Sequence, residues 1–208
     1  MKMLSLFLVC VVLLLESAAS QVMGVRVFSM NPDQLLRNQK EIVAGNKAMQ
    51  AALKRLRKDA DKALGLSLVS VMEKSQTPPS GDKHDYMSLA RYFWTDPTKS
   101  DGLPYIQRDG ETNPEIKSIS DQENLQQLIK SVHTLGLAYF FTANEDYAEH
   151  ATKILRTWFL NPETKMNPNL NFAQAVKGKS DGRSWGLIDV RGFADLIDGV
   201  GLLAGSQS

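Results

Sequence analysis

Apolar side chains recur every three or four residues in three long segments of the chain, at 31–64, 120–160 and 184–203. This spacing places them on one face of an α-helix, and no segment alternates apolar and polar residues as a half-buried strand does. Helices with one apolar face bury it by packing against one another. We therefore predict an all-α fold of helical hairpins separated by long loops.

The first of these segments is typical of one long amphipathic helix. Asn31 is a favourable N-cap, Pro32 suits the first helical position, and Gly65 is a suitable residue to end the helix. The polar face carries several lysines and arginines, which we interpret as a solvated surface.

The second segment predicts two antiparallel helices joined by a short turn. Ser120 and Glu123 have the spacing of a capping box, in which the two residues satisfy each other's free backbone amides. A turn at 142–144 separates two apolar stripes, and Trp158 falls on the second stripe, so we expect it in the core. The third segment predicts a last helix that begins near Ser184.

The N-terminus has the composition of a secretory signal peptide over residues 1–20. Lys2 is followed by an apolar run at 4–15, and the small residues after it suit cleavage near Gln21. The run is shorter than the roughly 20 residues that a membrane-spanning helix needs. We therefore expect a mature domain at 21–208 that has no stable membrane anchor and is secreted, or periplasmic in a bacterium.

The cysteine, histidine and charge content argues against several kinds of site. The single cysteine, Cys10, lies inside the expected signal peptide, so we expect no disulfide and no thiolate chemistry in the mature chain. The three histidines, His84, His133 and His150, lack a metal-binding spacing. A formal net charge of +1 argues against a nucleic-acid partner. We expect no metal and no other cofactor.

Two segments rich in turn-forming residues interrupt the helices, at 76–119 and 161–182. Loops of this length in a compact domain usually form lids or binding sites. Aromatic and imidazole rings are concentrated in the first loop. These include His84, Tyr86, Tyr92 and Trp94. Such rings either contact a ligand or pin the loop to the body of the protein.

The second loop and the residues after it hold amides and cations suited to an acidic sugar. Asn171 and Gln174 can hydrogen-bond to hydroxyl groups, and Arg183 can form a forked contact with a carboxylate. The same residue types also serve simple turns, and Arg183 could instead pair with Asp181 or Asp189. The pattern favours a site for a carbohydrate that carries carboxylates.

Five short motifs occur in these loops and before the last helix. They read KHDYMSL at 83–89, YFWTDP at 92–97, DGLPYIQRDG at 101–110, MNPNLNFAQ at 166–174, and GR followed by GLIDVRG within 182–192. As an ordered set they resemble the alginate lyase domain family of polysaccharide lyases. The resemblance extends over about residues 35–204.

The resemblance implies an incomplete (α/α) toroid with a deep cleft, and cleavage of a uronic-acid polymer such as alginate or glucuronan by β-elimination. In such lyases an Asn or Arg neutralises the uronate carboxylate, a Tyr or His removes the C5 proton, and a Tyr commonly protonates the departing O4. The expected partner is thus an acidic polysaccharide. The residues expected to bind it are Asn171, Gln174, Arg183, Trp94, Tyr92, His84 and Tyr86.

The sequence departs from the family at the catalytic residues. The family's Asn-His pair and catalytic Tyr are expected beyond the motif at 182–192, and the chain contains no Asn-His dipeptide. We therefore assign no catalytic residue and expect the N-terminal portion of a lyase toroid, represented by a truncated chain. The alternative is a carbohydrate-binding half-domain without chemistry.

Three acidic residues near the C-terminus are expected to serve the fold or to face solvent. Arg191 lies two residues from Asp189, which favours a structural ion pair between them. Asp195 and Asp198 are three residues apart on one helix, a spacing that we interpret as a solvated face rather than a catalytic pair.

Overall fold

The computed structural model describes residues 25–208, so the expected signal peptide lies outside the described residues. Helices dominate this range. The five α-helices described are α1 (Pro32–Val43), α2 (Lys47–Leu64), α3 (Asp121–Thr142), α4 (Glu145–Phe159) and α5 (Phe193–Leu202). Three short 3-10 helices lie at Val71–Glu73, Pro114–Ser118 and Ser184–Val190.

The all-α prediction is wrong in one respect, because short strands also occur in the two loops. Strand β1 (Met87–Leu89) pairs in parallel with β4 (Phe172–Ala175). Strand β2 (Phe93–Trp94) pairs antiparallel with β3 (Ile106–Gln107). Strands of two to four residues are too short to show an alternating pattern, which explains why the sequence did not reveal them.

The expected single helix over 31–64 is also wrong, because the structure divides it into α1 and α2. Gly45 adopts a φ of 80°, which an L-residue with a side chain rarely adopts, and this ends the first helix. Asn46 then caps the second helix by accepting hydrogen bonds from the backbone amides of Ala48 and Met49. The apolar spacing continues across the break, so periodicity alone could not place it.

Helix α3 is the centre of the core and packs against α2, α4 and α5. Its apolar face is fully buried at Leu125, Val132 and Leu135, and Trp158 of α4 is buried against it as expected. Helices α3 and α5 approach closely at two glycines. A Cβ atom on Gly136 would lie 2.5 Å from the backbone oxygen of Gly199.

The start of α3 differs from the predicted capping box. Ser120 has a helical backbone conformation, and its side chain makes no capping hydrogen bond. Asp121 instead forms an ion pair with Lys74, with 2.9 Å between Asp121 Oδ2 and Lys74 Nζ. Both side chains are fully buried. Lys74 Nζ also donates to the backbone oxygens of Val71 and Lys83, so it fastens the first loop to this helix. Burial raises the pKa of Asp121 to about 6.

The prediction of a solvated face is wrong for Asp198, which is fully buried. Its carboxylate accepts hydrogen bonds from the backbone amides of Phe28, Ser29 and Met30, and from the Ser29 hydroxyl. This contact fixes residues 28–30 against α5. Asp195 is exposed, as expected.

No helix within residues 25–208 is both long enough and apolar enough to cross a bilayer.

Candidate functional site

An open cleft of about 740 Å³ lies where the two loops meet the start of α3. Its walls come from the segment around β2, the first turns of α3, the end of β4 and the 3-10 helix Ser184–Val190. The parallel pairing of β1 with β4 joins the two loops beside it. Its lining residues with polar or aromatic side chains are Arg91, Tyr92, Phe93, Gln107, Lys117, Gln122, Glu123, Gln126, Gln174, Arg183, Trp185, Asp189 and Arg191.

Cations outnumber acids along this cleft. The cations are Arg91, Lys117, Arg183 and Arg191, and the acids are Glu123 and Asp189. Within residues 25–208 none of these four cations is held in an ion pair. Their positive charge therefore remains available to an anionic ligand.

Asp189 is the buried centre of the polar network at the cleft floor. Its Oδ2 accepts hydrogen bonds from the Tyr86 hydroxyl at 3.1 Å and the Ser88 hydroxyl at 2.6 Å. Its Oδ1 accepts from Nε2 of Gln122 at 2.7 Å and Nε2 of Gln174 at 2.8 Å. Four donors therefore satisfy a carboxylate that is only 1% exposed.

The predicted ion pair between Arg191 and Asp189 is wrong. Asp189 points into the protein, where uncharged donors occupy both of its oxygens. Arg191 is exposed at the cleft and has no ion-pair partner among the described residues. Two residues along a 3-10 turn point in different directions, which the sequence separation alone did not show.

Gln174 connects the Asp189 network to Arg183. Its backbone amide donates to the Ser88 hydroxyl at 2.8 Å, and its backbone oxygen accepts from Arg183 Nε at 2.8 Å. Its φ of 55° lies in the left-handed region, which is uncommon for a residue with a side chain. Such strain persists where the surroundings hold the backbone, and it is often found at binding sites.

Arg183 is half-buried in the cleft wall. Its guanidinium carbon lies 4.9 Å from the centroid of the Phe93 ring, within range of a cation–π contact. Burial lowers the pKa of Arg183 from its ordinary value. Since Nε bonds to Gln174, the terminal nitrogens of the guanidinium group remain for a ligand.

The structure brings three of the seven predicted substrate-binding residues together: Tyr92, Gln174 and Arg183 line the cleft. Tyr86 lies beneath its floor, fully buried, and donates to Asp189. Burial and the neighbouring Asp189 carboxylate raise the pKa of Tyr86 far above the usual value for a phenol. Its contribution to the cleft is thus made through Asp189.

The other three predicted residues lie outside the cleft lining. His84 Nδ1 is 2.6 Å from the backbone oxygen of Lys165, which joins the two loops. Trp94 Nε1 donates to the backbone oxygen of Glu111. Asn171 is exposed. Substrate binding by these three residues stays a prediction.

Several lining residues were not singled out as substrate-binding from the sequence. They are Arg91, Gln107, Lys117, Gln122, Gln126 and Arg191. Gln122 and Gln126 are four residues apart and share one face of α3, which is a usable signal once that face is known to line a cleft. Trp185 is 67% exposed, so its indole is open to a flat ligand such as a sugar ring.

No group of three or more His, Cys, Asp or Glu side chains in the described part of the chain is arranged to hold a metal ion.

Comparisons with known proteins identify the family of the chain. Residues 70–208 match the family model for alginate lyase. The chain is also similar to the crystal structure of an alginate lyase from Bacteroides ovatus, with 44% identity and a TM-score of 0.80. The match covers 84% of this chain and 46% of that one, so the chain spans less than half the length of this relative. No curated protein matches the chain. The family match and the 44% identity show that the chain belongs to the alginate lyase family.

Proposed function

We propose that this chain supplies the substrate-binding wall of a secreted lyase that cleaves a uronic-acid polymer by β-elimination. The observation that carries the proposal is the cleft with four cations and two acids, in which Arg183 is partly desolvated. Membership of the alginate lyase family supports the reaction class. The preferred polymer is alginate or a glucuronan.

The charge of the cleft suits this reaction because β-elimination begins at a carbon next to a carboxylate. A base removes the C5 proton, the C4–O4 bond breaks, O4 takes up a proton, and a double bond forms between C4 and C5. Negative charge spreads onto the carboxyl group as the proton leaves. A guanidinium group fixed beside that carboxylate stabilises the developing charge and lowers the barrier. Arg183 is our candidate for this contact.

We propose further that the helical hairpins belong to an incomplete (α/α) toroid. The hairpin of α3 and α4 supports this architecture, as does the TM-score of 0.80 with an alginate lyase. Secretion is proposed from the sequence of residues 1–20 alone.

A second candidate function is carbohydrate binding without chemistry. One observation favours it: among the described residues that line the cleft, Tyr92 is the single phenol and there is no histidine. The cations and amides of this cleft can bind a uronate whether or not a base is present. Binding and turnover must therefore be measured separately.

The test is to incubate the 208-residue chain with polymannuronate, polyguluronate and glucuronan. The ultraviolet absorbance of the unsaturated product reports elimination, and calorimetry with short oligosaccharides of each polymer reports binding. We expect the 208-residue chain to bind without turnover, and a version that also carries the family's Asn-His pair and catalytic Tyr to cleave the polymer; an Arg183→Ala change should reduce both binding and cleavage. Binding without cleavage by both versions supports the second candidate, and no binding by either version would exclude both candidates.

A further inference from the structure

Three glutamines that line the cleft share one hydrogen-bonding partner. Nε2 of Gln122 and Nε2 of Gln174 donate to Oδ1 of Asp189, at 2.7 and 2.8 Å. Nε2 of Gln126 donates to the backbone oxygen of the same Asp189 at 2.9 Å. One buried residue therefore fixes the orientation of three amides at the cleft surface.

The chemistry of Asp189 determines which end of each amide faces it. A carboxylate and a backbone carbonyl only accept hydrogen bonds, so each glutamine must present its nitrogen. A flipped amide would place its oxygen against an oxygen of Asp189. The amide oxygens of Gln122, Gln126 and Gln174 therefore point away from Asp189.

These three amide oxygens have no partner in the protein and are not sealed from solvent. Within residues 25–208, no hydrogen bond is donated to Oε1 of Gln122, Gln126 or Gln174. None of them is among the buried side-chain atoms without a partner either. Those atoms are Ser120 Oγ, Asp121 Oδ1 and His150 Nε2. The glutamine oxygens therefore remain as unpaired acceptors of residues that line the cleft, with Gln126 exposed, Gln122 half-buried and Gln174 7% exposed.

We propose that Gln122, Gln126 and Gln174, held by Asp189, form a subsite that accepts hydrogen bonds from the hydroxyl groups of a sugar ring. This inference rests on the proposed function and deepens it. Each uronate unit carries a carboxylate and neighbouring hydroxyl groups. The cations bind the carboxylate, and the fixed amide oxygens select the hydroxyl groups.

Asp189 is a positioning residue in this subsite because it is buried beneath the amides and acts on the sugar through them. Arg183 is held separately, because its Nε donates to the backbone oxygen of Gln174 and not to the side chain that Asp189 orients. The carboxylate therefore sets the acceptors and leaves the neighbouring cation in place. The strained φ of 55° at Gln174 is consistent with a backbone held for this purpose.

The first test substitutes Asp189→Asn in the full chain and measures binding of a mannuronate oligosaccharide by calorimetry at several salt concentrations. Asparagine replaces one carboxylate oxygen with a donor, so the two hydroxyl groups and the two glutamine amides can no longer all donate to residue 189, and the glutamines lose the charged acceptor that orients them. We expect the affinity for the oligosaccharide to fall about tenfold or more, because hydrogen bonds from its hydroxyl groups to the glutamine oxygens are lost. We expect its salt dependence to stay unchanged, because the cations remain. Asp195→Asn, at an exposed site, is the control for the same loss of charge.

The salt dependence separates positioning from general damage. An Arg183→Ala variant removes a charged contact and should reduce the salt dependence of binding, whereas Asp189→Asn should not. A parallel loss of affinity and salt dependence in Asp189→Asn would overturn the proposal, since it would mean that the whole cleft is disrupted.

A second pair of variants keeps the test decisive if Asp189→Asn does not fold. Gln126 is exposed in the cleft, and Gln127 beside it donates to the Ser67 backbone oxygen instead. We expect Gln126→Ala to weaken oligosaccharide binding several-fold and Gln127→Ala to leave it unchanged. Equal affinities for Gln126→Ala and the parent chain would overturn the subsite alone. A parent chain that binds no uronate oligosaccharide would overturn the proposed function as well.

Discussion

The guanidinium group of Arg183 stacks over the ring of Phe93, with 4.9 Å between the guanidinium carbon and the ring centroid. The aromatic segment of the first loop and the cationic segment after the second loop therefore meet across one cleft. This contact joins two of the motifs that resemble the family, although they are about ninety residues apart in the sequence.

The first prediction concerns the charge of Arg183. Arg183→Ala should weaken the binding of a uronate oligosaccharide by about tenfold to a hundredfold, as expected for a lost hydrogen bond to a charged group. Arg183→Lys should recover only part of the affinity, because lysine keeps the charge but not the forked geometry. Calorimetry measures both. Arg37→Ala on α1, outside the cleft lining, is the control. An equal loss of affinity for a carboxyl-reduced oligosaccharide would show that Arg183 does not bind the carboxylate.

The second prediction concerns the close approach of α3 and α5. Gly136→Ala should lower the free energy of unfolding by about 1–3 kcal/mol, because its Cβ would lie 2.5 Å from the Gly199 backbone oxygen and force the helices apart. Urea denaturation measures the change. Gly65→Ala is the matched control, since its Cβ would make only an ordinary contact at 3.5 Å. Equal effects of the two changes would mean that the helix contact adjusts freely.

The third prediction concerns pH and Asp85. Burial raises the pKa of Asp85, but hydrogen bonds from Asn167, Asn169 and Ser80 outweigh it and hold the pKa below its ordinary value. A carboxyl group with a lowered folded pKa stabilises the fold above its unfolded pKa of about 3.9. That stabilisation is lost as the pH falls through the folded pKa.

Asp85→Asn should therefore be less stable than the parent chain at neutral pH, and the difference should shrink as the pH falls below about 4. Urea denaturation at a series of pH values measures this difference, in which the other titrating groups cancel. Asp181→Asn, at an exposed aspartate, should show no such trend. A difference that is constant with pH would contradict the assigned role.

The fourth prediction concerns the buried ion pair of Lys74 and Asp121. Lys74→Met should lower the free energy of unfolding by about 3–5 kcal/mol, because it leaves the Asp121 carboxylate buried without its cation. Lys74→Met combined with Asp121→Leu should recover much of the loss, since the second change removes the unpaired charge. Urea denaturation of the three proteins measures this. A double variant less stable than Lys74→Met alone would contradict the prediction.

The sequence predicted the helices better than the points at which they begin and end. The apolar stripes of α3 and α4 were sufficient to predict these two helices, because the stripes are long and uninterrupted. The same criterion missed the break at Gly45, since the residues on either side keep the apolar spacing. It also misplaced a capping box at Ser120, whereas Ser70 and Glu73 form one.

For the site, the sequence predicted the residue types better than their partners. Tyr92, Gln174 and Arg183 line one cleft, and the amides and cations expected there are present. The environments of Asp189 and Asp198 were missed because their partners are distant in sequence. Asp189 meets the Ser88 hydroxyl, 101 residues away, and Asp198 meets Phe28, 170 residues away. Local spacing carries no information about such contacts.

The clamp that Asp198 forms on residues 28–30 constrains the order of events during synthesis. These residues leave the ribosome long before Asp198, and their backbone amides gain this acceptor only after some 170 further residues have been translated. During elongation the segment must therefore remain hydrated or be held by a chaperone. Its docking onto α5 can follow only after the residues of α5 have themselves left the ribosome.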